Sequence, residues 1–444
     1  MLYVRTARAF IEGGLSAAIE RFNWPFLSIL MATISRLTGL EIDIAGHVIN
    51  AIFMAGTCAL MVACVKKVHP KDSLLAALIV LSVPGLNEYR GELLREYGCW
   101  FFVMLSFWLA LRWVERPTWL GITAVQAALG FSALFRSEAL ALYPAIVAWQ
   151  LFDAPKEERI ARLSMLCVSP LAVVTCLVTA YFSIDLPTSS RLTRDLERIN
   201  FAQFNNKAFV LSSALISYAH DNAKTILFFG SLLLVPIKLV QKLGIFLVPL
   251  IYTIALGNWR SAFTRFPLFG WAIALNLLVL FIFVLDLQFL AGRYVGLTLL
   301  LSTPLLASGA RSLAEKGPRW KQLVIGAATI TMLSNVISLS QGKQHYVEAG
   351  KWLAENMTES SEVYIDSGRT AYFANWEQIK LESRGDRKSI EASVAGKGHK
   401  FYVLEVSKRD QPIDSLLRTT GLHVIRRFGG EKMDSVIIAE PVID

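Results

Sequence analysis

The chain has 444 residues, of which 54% are hydrophobic and only 18% are charged, and its mean hydropathy is +0.47. A soluble protein carries about a quarter charged residues, so this composition indicates a protein embedded in a bilayer. The net charge of +9 fits a membrane protein with basic cytoplasmic loops. No basic stripe with interleaved aromatic residues is present, so the sequence predicts no nucleic-acid partner.

The distribution of charge divides the chain. The first 45 residues are amphipathic and lack the long apolar core of a signal peptide. From residue 46 to 340 the charges fall in short clusters between apolar runs, whereas from 341 to 444 they are evenly mixed. We therefore expect a transmembrane domain over 46–340, followed by a water-soluble domain over 341–444.

The apolar runs predict a mainly α, polytopic membrane protein with about 9–11 spans, since one helical span needs about 20 apolar residues. The clear candidates are Ala45–Val65, Tyr97–Val114, Thr118–Phe135, Leu163–Ser183, Pro267–Leu285, Tyr294–Ser308 and Gln322–Leu339. The shorter or interrupted candidates are Ser73–Leu86, Ala139–Phe152, Thr225–Val240 and Leu243–Leu256.

Lysine and arginine clusters set the predicted orientation, because such residues are enriched in cytoplasmic loops. The clusters at 66–71, 112–117, 156–162 and 311–321 form one consistent cytoplasmic set. Alternation then places Asn87–Glu96, Arg136–Glu138, Asp185–Asn222, Gln288–Arg293 and the C-terminal tail on the opposite face. The segments 225–240 and 243–256 cannot both cross if Arg293 lies outside, so we expect one of the two to be re-entrant or to lie along the membrane surface.

The tail predicts a small α/β domain. A helix at 345–357 has apolar positions at Val347, Trp352 and Leu353. Four strand-like runs follow, at Glu362–Asp366, Lys400–Val406, Leu422–Phe428 and Asp434–Glu440. The tail contains no Gly-rich phosphate loop and no clustered Cys or His, so we expect a structural or docking part.

The stretch NEYRGELLREYGCW, residues 87–100, carries five charges between two apolar runs. Its charged residues lead directly into the next helix. They lie on the predicted non-cytoplasmic side of the membrane, where basic residues are depleted. Arginine suits a phosphate, because its planar fork binds two oxygens at once, and a nearby carboxylate suits a base or a hydroxyl binder. The alternative is a solvated turn. The candidates are Glu88, Arg90, Glu92, Arg95 and Glu96.

Two further helix ends repeat this pattern. FRSEALALYP places Arg136 and Glu138 between two spans without an intervening loop, and FLAGRY supplies Arg293 and Tyr294. An internal ion pair that pins two helix ends is the alternative for Arg136 and Glu138. Three outer helix ends that each carry an arginine predict a converging site for a lipid phosphate or pyrophosphate.

These motifs, in this order, resemble the GT-C membrane glycosyltransferases, and in particular their bacterial family 39 branch of protein mannosyltransferases and aminoarabinose transferases. LLREYG resembles the Arg-Asp loop motif of that family, with Arg95 and Glu96 in its place, FRSEAL its Arg-x-Glu-Ala segment, and GRYVGLTLLLSTPLLA its Arg-Tyr span. The start of the chain looks like the first outer loop of the family, and VEAGKWLAENMTESSEVYIDSGRTAYFA is similar to its outer domain. The features of that first loop are Tyr3, Ala7, Gly13-Gly14, Trp24-Pro25 and Leu37-Thr38-Gly39.

The sequence departs from the family at its start. In the family, a first transmembrane helix and an aspartate motif precede the position of Tyr3 and supply the catalytic carboxylate, whereas this chain begins at Met1. We expect a truncated gene model, a late start codon or a degenerate inactive member, in that order.

The resemblance implies a GT-C-like bundle in the bacterial inner membrane, with outer amphipathic helices over 1–45 and an extracytoplasmic C-terminal domain. It implies transfer of a sugar from a polyprenyl-phosphate donor to a lipid, glycan or protein, during which a carboxylate takes the acceptor's proton and cations stabilise the leaving phosphate. The phosphate-binding candidates are Arg90, Arg95, Arg136, Arg293 and Tyr294. The acidic candidates are Glu96 and Glu138, with Glu88 and Glu92 behind them.

A divalent metal is compatible with this chemistry, but no ligand cluster demands one. Two alternatives remain open. A transporter or flippase of lipid-linked sugars would also use outer arginines, although it should contain two similar halves and none is visible. A non-catalytic subunit that keeps the GT-C fold is the other.

Overall fold

The computed structural model describes residues 2–183, 202–255, 259–337, 344–358, 362–376, 379, 387–396, 398–406, 417, 419–430 and 434–441. Contacts divide the chain into two compact units, Thr6–Ile337 and Met1–Arg5 with Ser338–Asp444. The protein is mainly α, with a small sheet near its C-terminus. The fold class predicted from the apolar runs and the strand pattern is confirmed.

The larger unit is a bundle of apolar helices joined by short loops. Ile42–Val68, Pro267–Leu287, the segment Gly292–Ala314 and the combined segment Ser217–Ala255 are long and apolar enough to cross a membrane. Its helices are α1 (Leu2–Arg21, whose first residues belong to the other unit), α2 (Phe26–Thr38), α3 (Ile42–Val68), α4 (Ser73–Ser82), α5 (Pro84–Asn87), α6 (Glu96–Trp113), α7 (Trp119–Phe135), α8 (Tyr143–Asp153), α9 (Lys156–Ser183), α10 (Ala202–Ala214), α11 (Ala223–Leu243), α12 (Leu247–Ala255), α13 (Trp259–Arg265), α14 (Pro267–Leu287), α15 (Gly296–Ala314) and α16 (Pro318–Val336).

Short 3₁₀ turns join several of these helices, at Pro70–Asp72, Ser137–Leu142, Ser217–Asn222, Gly244–Phe246 and Gly292–Val295. The two turns at 137–142 and 292–295 contain Glu138 and Arg293, so the charged motifs found in the sequence lie where apolar helices end. Helix ends leave backbone groups without intrahelical partners, and polar residues are therefore tolerated there more readily than inside a span.

Helix α6 lies at the centre of the bundle, between α3 and α7. Gly98 has no side chain, and a Cβ placed there would lie 2.4 Å from the ring of Phe135 at the end of α7. Gly296 plays the same part at the start of α15, where a Cβ would lie 2.4 Å from the ring of Trp100. Both glycines allow the ends of α7 and α15 to approach the first turns of α6.

Helix α12 extends away from the ends of α7 and α15 that approach α6. Gly244, just before it, lies against Pro84, whereas Thr253 within it packs on Gly309 in α15. Gly309 is 13 residues beyond Gly296, which corresponds to about 20 Å along α15. The sequence predicted an apolar segment at 243–256. Within it, α12 is a helix of nine residues that follows the bundle axis.

The N-terminal segment packs on the end of α7. Trp24 donates its indole N–H to the carbonyl of Ala133 over 3.2 Å, and the rings of Phe26 and Phe135 meet edge to face at 5.0 Å. Helix α2 is joined to α1 by Arg36, which donates to the carbonyl of Ile11. The division of 1–45 from the bundle as a domain stays a prediction.

The smaller unit contains a four-stranded mixed sheet, formed by β1 (Val363–Ile365), β2 (Phe401–Val406), β3 (Leu422–Phe428) and β4 (Ser435–Pro441) in the order β1-β2-β4-β3. Strands β1 and β2 are parallel, with Val363 opposite Phe401, and the other two pairs are antiparallel. The helices are α17 (Gln344–Asn356), α18 (Gly368–Phe373) and α19 (Arg387–Ala395).

Alternation along β2 builds two cores, one on each face of this sheet. Val403 joins Tyr346 and Leu353 of α17, whereas Tyr402 and Leu404 join Ile390 of α19. Leu353 of the predicted helix is fully buried, while Val347 and Trp352 are only half-buried. Helices therefore cover both faces of a small sheet.

Candidate functional site

Four charged side chains meet in one cavity at the helix ends, called here the helix-end cavity. Its volume is about 530 Å³, including its open mouth. The charged residues come from three parts of the chain, because Glu96 begins α6, Arg136 and Glu138 follow α7, and Arg293 precedes α15. The remainder of the lining is mostly apolar, with Trp100, Asn276, Phe283 and Tyr294 among it.

Glu96 is the most deeply buried of these charges, with 4% of its side chain exposed. Its Oε1 accepts a hydrogen bond from Arg136 Nη1 at 3.0 Å, and Arg293 Nε lies 3.7 Å from the same oxygen. The other oxygen, Oε2, is buried and has no hydrogen-bond partner among the described residues. A carboxylate oxygen left in this state is costly unless a ligand or a proton occupies it.

Arg136 holds both carboxylates. Besides Glu96, it contacts Glu138 through two long hydrogen bonds of 3.4 and 3.5 Å. Burial alone would raise the pKa of Glu138, but the charge and hydrogen bonds of Arg136, a backbone hydrogen bond and the charge of Arg95 together outweigh it and bring this pKa to about 2. Burial opposes the charge of Arg136 as well, yet the carboxylates of Glu138 and Glu96 raise its pKa above the ordinary value.

Tyr294 contacts both arginines of the cavity. Its ring centroid lies 4.9 Å from the guanidinium carbon of Arg136 and 5.3 Å from that of Arg293, within the range of cation–π attraction. Phe283 packs edge to face on the same ring at 5.1 Å. Arg293 keeps 40% of its side chain exposed, against 14% for Arg136, so it lies nearer the mouth.

Arg95 lies beside the cavity without lining it. Its guanidinium carbon is 5.6 Å from the ring centroid of Phe22, and its buried Nη1 has no hydrogen-bond partner among the described residues. Its charge also lowers the pKa of Glu138, which indicates that the two side chains are close. The sequence predicted that Arg95 lies with Arg136 and Arg293. In the structure, Arg95 lies near their cavity but outside its lining, against Phe22.

The other three candidates from the charged stretch lie outside the cavity lining. Glu88 forms an ion pair with Lys242 at the end of α11. Arg90 and Glu92 are half-buried in the loop that leads to α6, and Asn50 Nδ2 donates to the carbonyl of Glu92 over 3.4 Å.

Lys242, Tyr89 and Asn276 were not found from the sequence. A Cβ at Gly292 would lie 2.4 Å from Lys242 Cε and 2.8 Å from the hydroxyl of Tyr89, so this glycine allows both to lie beside Arg293. Asn276 is buried in the middle of α14 and donates to Thr298 Oγ1 over 2.6 Å. A single amide inside the apolar run ALNLLVLF was the available signal, because polar groups at membrane depth usually face a cavity.

Among the described residues, no group of three His, Cys, Asp or Glu side chains is arranged to hold a metal ion. Comparison with protein-family models and with curated proteins finds no match to this chain. Among solved structures, the chain is similar to the crystal structure of ArnT from Cupriavidus metallidurans in the apo state. The two chains are 12% identical with a TM-score of 0.40, and the similarity covers 98% of this chain and 92% of that chain.

Proposed function

We propose that this protein is an integral-membrane glycosyltransferase that moves a sugar from a polyprenyl-phosphate donor to a lipid, glycan or protein acceptor. One observation carries the proposal. Glu96, Arg136, Glu138 and Arg293, which are distant in sequence, line a single cavity at the ends of apolar helices. The order of the sequence motifs that supply these residues supports the same activity.

Glu96 is the proposed base. Its Oε1 is held by Arg136 and lies close to Arg293, while its buried Oε2 is left without a partner. In the transfer, the acceptor hydroxyl oxygen bonds to the anomeric carbon of the sugar, and the bond from that carbon to the phosphate oxygen breaks. The electron pair of that bond goes to the phosphate, and the hydroxyl proton goes to Glu96 Oε2. Glu138 is the second acidic candidate.

Arg293 and Arg95 are the proposed phosphate ligands. Arg293 is the more exposed arginine of the cavity, and Arg95 has a buried Nη1 without a partner. Arg293 can therefore turn a guanidinium edge to a leaving phosphate, as bidentate recognition requires. Arg95 lies beside the cavity, against Phe22, and would reach the phosphate only after its side chain rotates. Arg136 already contacts two carboxylates, so we propose that it positions them and supplies positive charge to the site without binding the phosphate itself. Tyr294 contacts the guanidinium groups of both cavity arginines.

The proposed location is the bacterial inner membrane, with the helix-end cavity on the outer face. The basic clusters at 66–71, 112–117, 156–162 and 311–321 support this orientation. The unit that contains the C-terminal sheet is then extracytoplasmic as well. A donor that carries its sugar on a lipid phosphate would reach the cavity from the bilayer.

The test is complementation of a strain from which the gene is deleted, with envelope glycolipids and glycans compared by mass spectrometry. Glu96→Gln should lower transfer by about 100- to 10,000-fold, since it removes the base. Arg293→Gln should lower it by about 100- to 1,000-fold, since it removes a donor to the developing anion. Both variants should reach the membrane in normal amounts.

Glu115→Gln and Arg116→Gln are matched controls, because both residues are exposed in the turn after α6, at its opposite end. They should restore the product fully. Normal product from both Glu96→Gln and Arg293→Gln would overturn the proposal. Movement of lipid-linked sugar between the leaflets of reconstituted vesicles, with no new glycosidic bond formed, would favour a flippase instead.

A further inference from the structure

A second large cavity lies at the other end of the bundle, and we call it the apolar groove. It occupies about 780 Å³ between α4, α12, α15 and α16. All of its lining side chains are apolar, and Ile79, Phe246, Pro249, Leu313, Leu323 and Ala328 represent the helices and the turn that form it.

The apolar groove is separate from the helix-end cavity. Helix α15 contributes to both, through Leu297 in the helix-end cavity and Leu313 in the apolar groove. Sixteen residues of α-helix span about 24 Å, so the two cavities lie near opposite ends of one helix. A phosphate held by Arg293 therefore cannot also lie at the Leu313 end.

The apolar groove opens sideways rather than toward the bundle interior. Ile245, Val248 and Leu323 line it and are 48%, 55% and 62% exposed. Water would be a poor occupant, since the lining offers it no hydrogen bonds. In a bilayer, the same opening faces hydrocarbon chains.

Cations gather where the groove reaches the loop between α15 and α16. Lys316 Nζ lies 5.7 Å from the ring of Trp320, which lines the groove, and 4.4 Å from the ring of Tyr252. Arg319 and Lys321 flank Trp320 and are exposed. None of these three cations forms an ion pair with a described carboxylate, whereas Arg311 nearby is bound to Asp72 and Glu315.

We propose that the apolar groove binds one acyl chain of an anionic phospholipid, whose headgroup phosphate rests on Lys316, Arg319 and Lys321. The hydrocarbon lining selects the chain, and the three uncompensated cations select the charge of the headgroup. The ligand belongs to the leaflet on the side of the 311–321 loop, which is opposite to the helix-end cavity. This proposal does not rest on the proposed glycosyl transfer.

The test measures lipid binding to the full chain in detergent by native mass spectrometry, with phosphatidylglycerol and phosphatidylcholine of identical chains as probes. Each cation near an anionic headgroup strengthens binding about fivefold, so Lys316→Gln/Arg319→Gln/Lys321→Gln should weaken phosphatidylglycerol binding roughly a hundredfold. Phosphatidylcholine binding should weaken much less, because the choline cation cancels the charge of its phosphate. Arg112→Gln/Arg116→Gln/Lys156→Gln is the matched control, because these cations are exposed in the basic clusters at 112–117 and 156–162.

A second pair of variants tests the hydrocarbon part. Ala327→Phe fills the groove and should abolish retention of both lipids, whereas Ile330→Phe on the same helix leaves it open, because Ile330 is 69% exposed and does not line it. Equal retention by these two variants, or equal binding of the two headgroups by the unaltered protein, would overturn the proposal.

A crosslinking measurement needs no altered protein. Phosphatidylglycerol with a diazirine on its acyl chain should label peptides that contain residues 310–313 and 320–328. Labelling of the exposed face of α14, around Leu278 and Ile282, to the same extent would count against a specific site.

Discussion

Replacing Arg136 by glutamine should destabilise the larger unit strongly. Arg136 contacts both Glu96 and Glu138 and lies closer to Glu96 than Arg293 does, at 3.0 Å against 3.7 Å, and its side chain is only 14% exposed. At the 3.0 Å separation from Glu96, the gross attraction is about 5 kcal/mol with an effective dielectric constant of about 20. Removing one partner from a buried ion pair costs about 3–5 kcal/mol, because the other charge is left uncompensated. We therefore expect a loss of about 3–5 kcal/mol of unfolding free energy.

The assay is denaturant unfolding in detergent micelles, followed by tryptophan fluorescence. The double variant Arg136→Gln/Glu96→Gln should recover a large part of the loss, since it removes the stranded carboxylate together with its partner. Arg116→Gln is the control, because Arg116 is exposed and its loss should change the free energy by less than about 0.5 kcal/mol.

Two results would refute this reasoning about Arg136. A loss below about 1 kcal/mol for Arg136→Gln would place the pair among weak surface ion pairs. A double variant as unstable as the sum of the two single variants would show that Arg136 and Glu96 do not interact.

Three further predictions concern packing and pH. Gly98→Ala should cost about 1–3 kcal/mol of unfolding free energy, because its methyl group would lie 2.4 Å from the buried ring of Phe135. Gly130 has open space around it, so the control Gly130→Ala should be neutral or slightly stabilising. Thermal unfolding of both variants is the measurement. In the smaller unit, Gly350→Ala should destabilise by a similar amount, since its Cβ would lie 2.4 Å from the Cβ of Phe373, and unchanged melting would contradict this. Because Glu138 has a pKa of about 2 in place of 4.5, its ionised form contributes stability that is complete above pH 4.5 and is lost as the pH falls toward 2. The stability difference between the wild type and Glu138→Gln should therefore shrink over that interval, and a constant difference would contradict the ion pair with Arg136.

The elements of the fold could largely be predicted from the sequence. Long hydrophobic runs locate α3, α14 and α15, and short runs rich in β-branched and aromatic residues locate the four strands. The path of 217–255 was harder to predict. Its helices are broken near Gly244, which has a positive φ of 56°, and a count of spans by hydropathy alone does not reveal whether a break reverses the chain.

The candidate site could be predicted only in part. The sequence indicates which residues lie at helix ends, but not toward which neighbour each one turns, because adjacent residues on a helix differ by about 100°. Glu96 therefore lines the helix-end cavity, while Arg95 beside it turns to Phe22. Lys242 lies 50 residues before Gly292, and only packing reveals their proximity. The roles of all these residues remain predictions.

Helix α15 has a consequence for communication across the bilayer. It is mostly buried, it begins beside Tyr294, and it ends beside the apolar groove. A packed helix resists compression along its length, so an axial displacement at Leu313 would reach the turn that carries Arg293. A lipid bound in the apolar groove as proposed would therefore act mechanically on the ion cluster of the helix-end cavity.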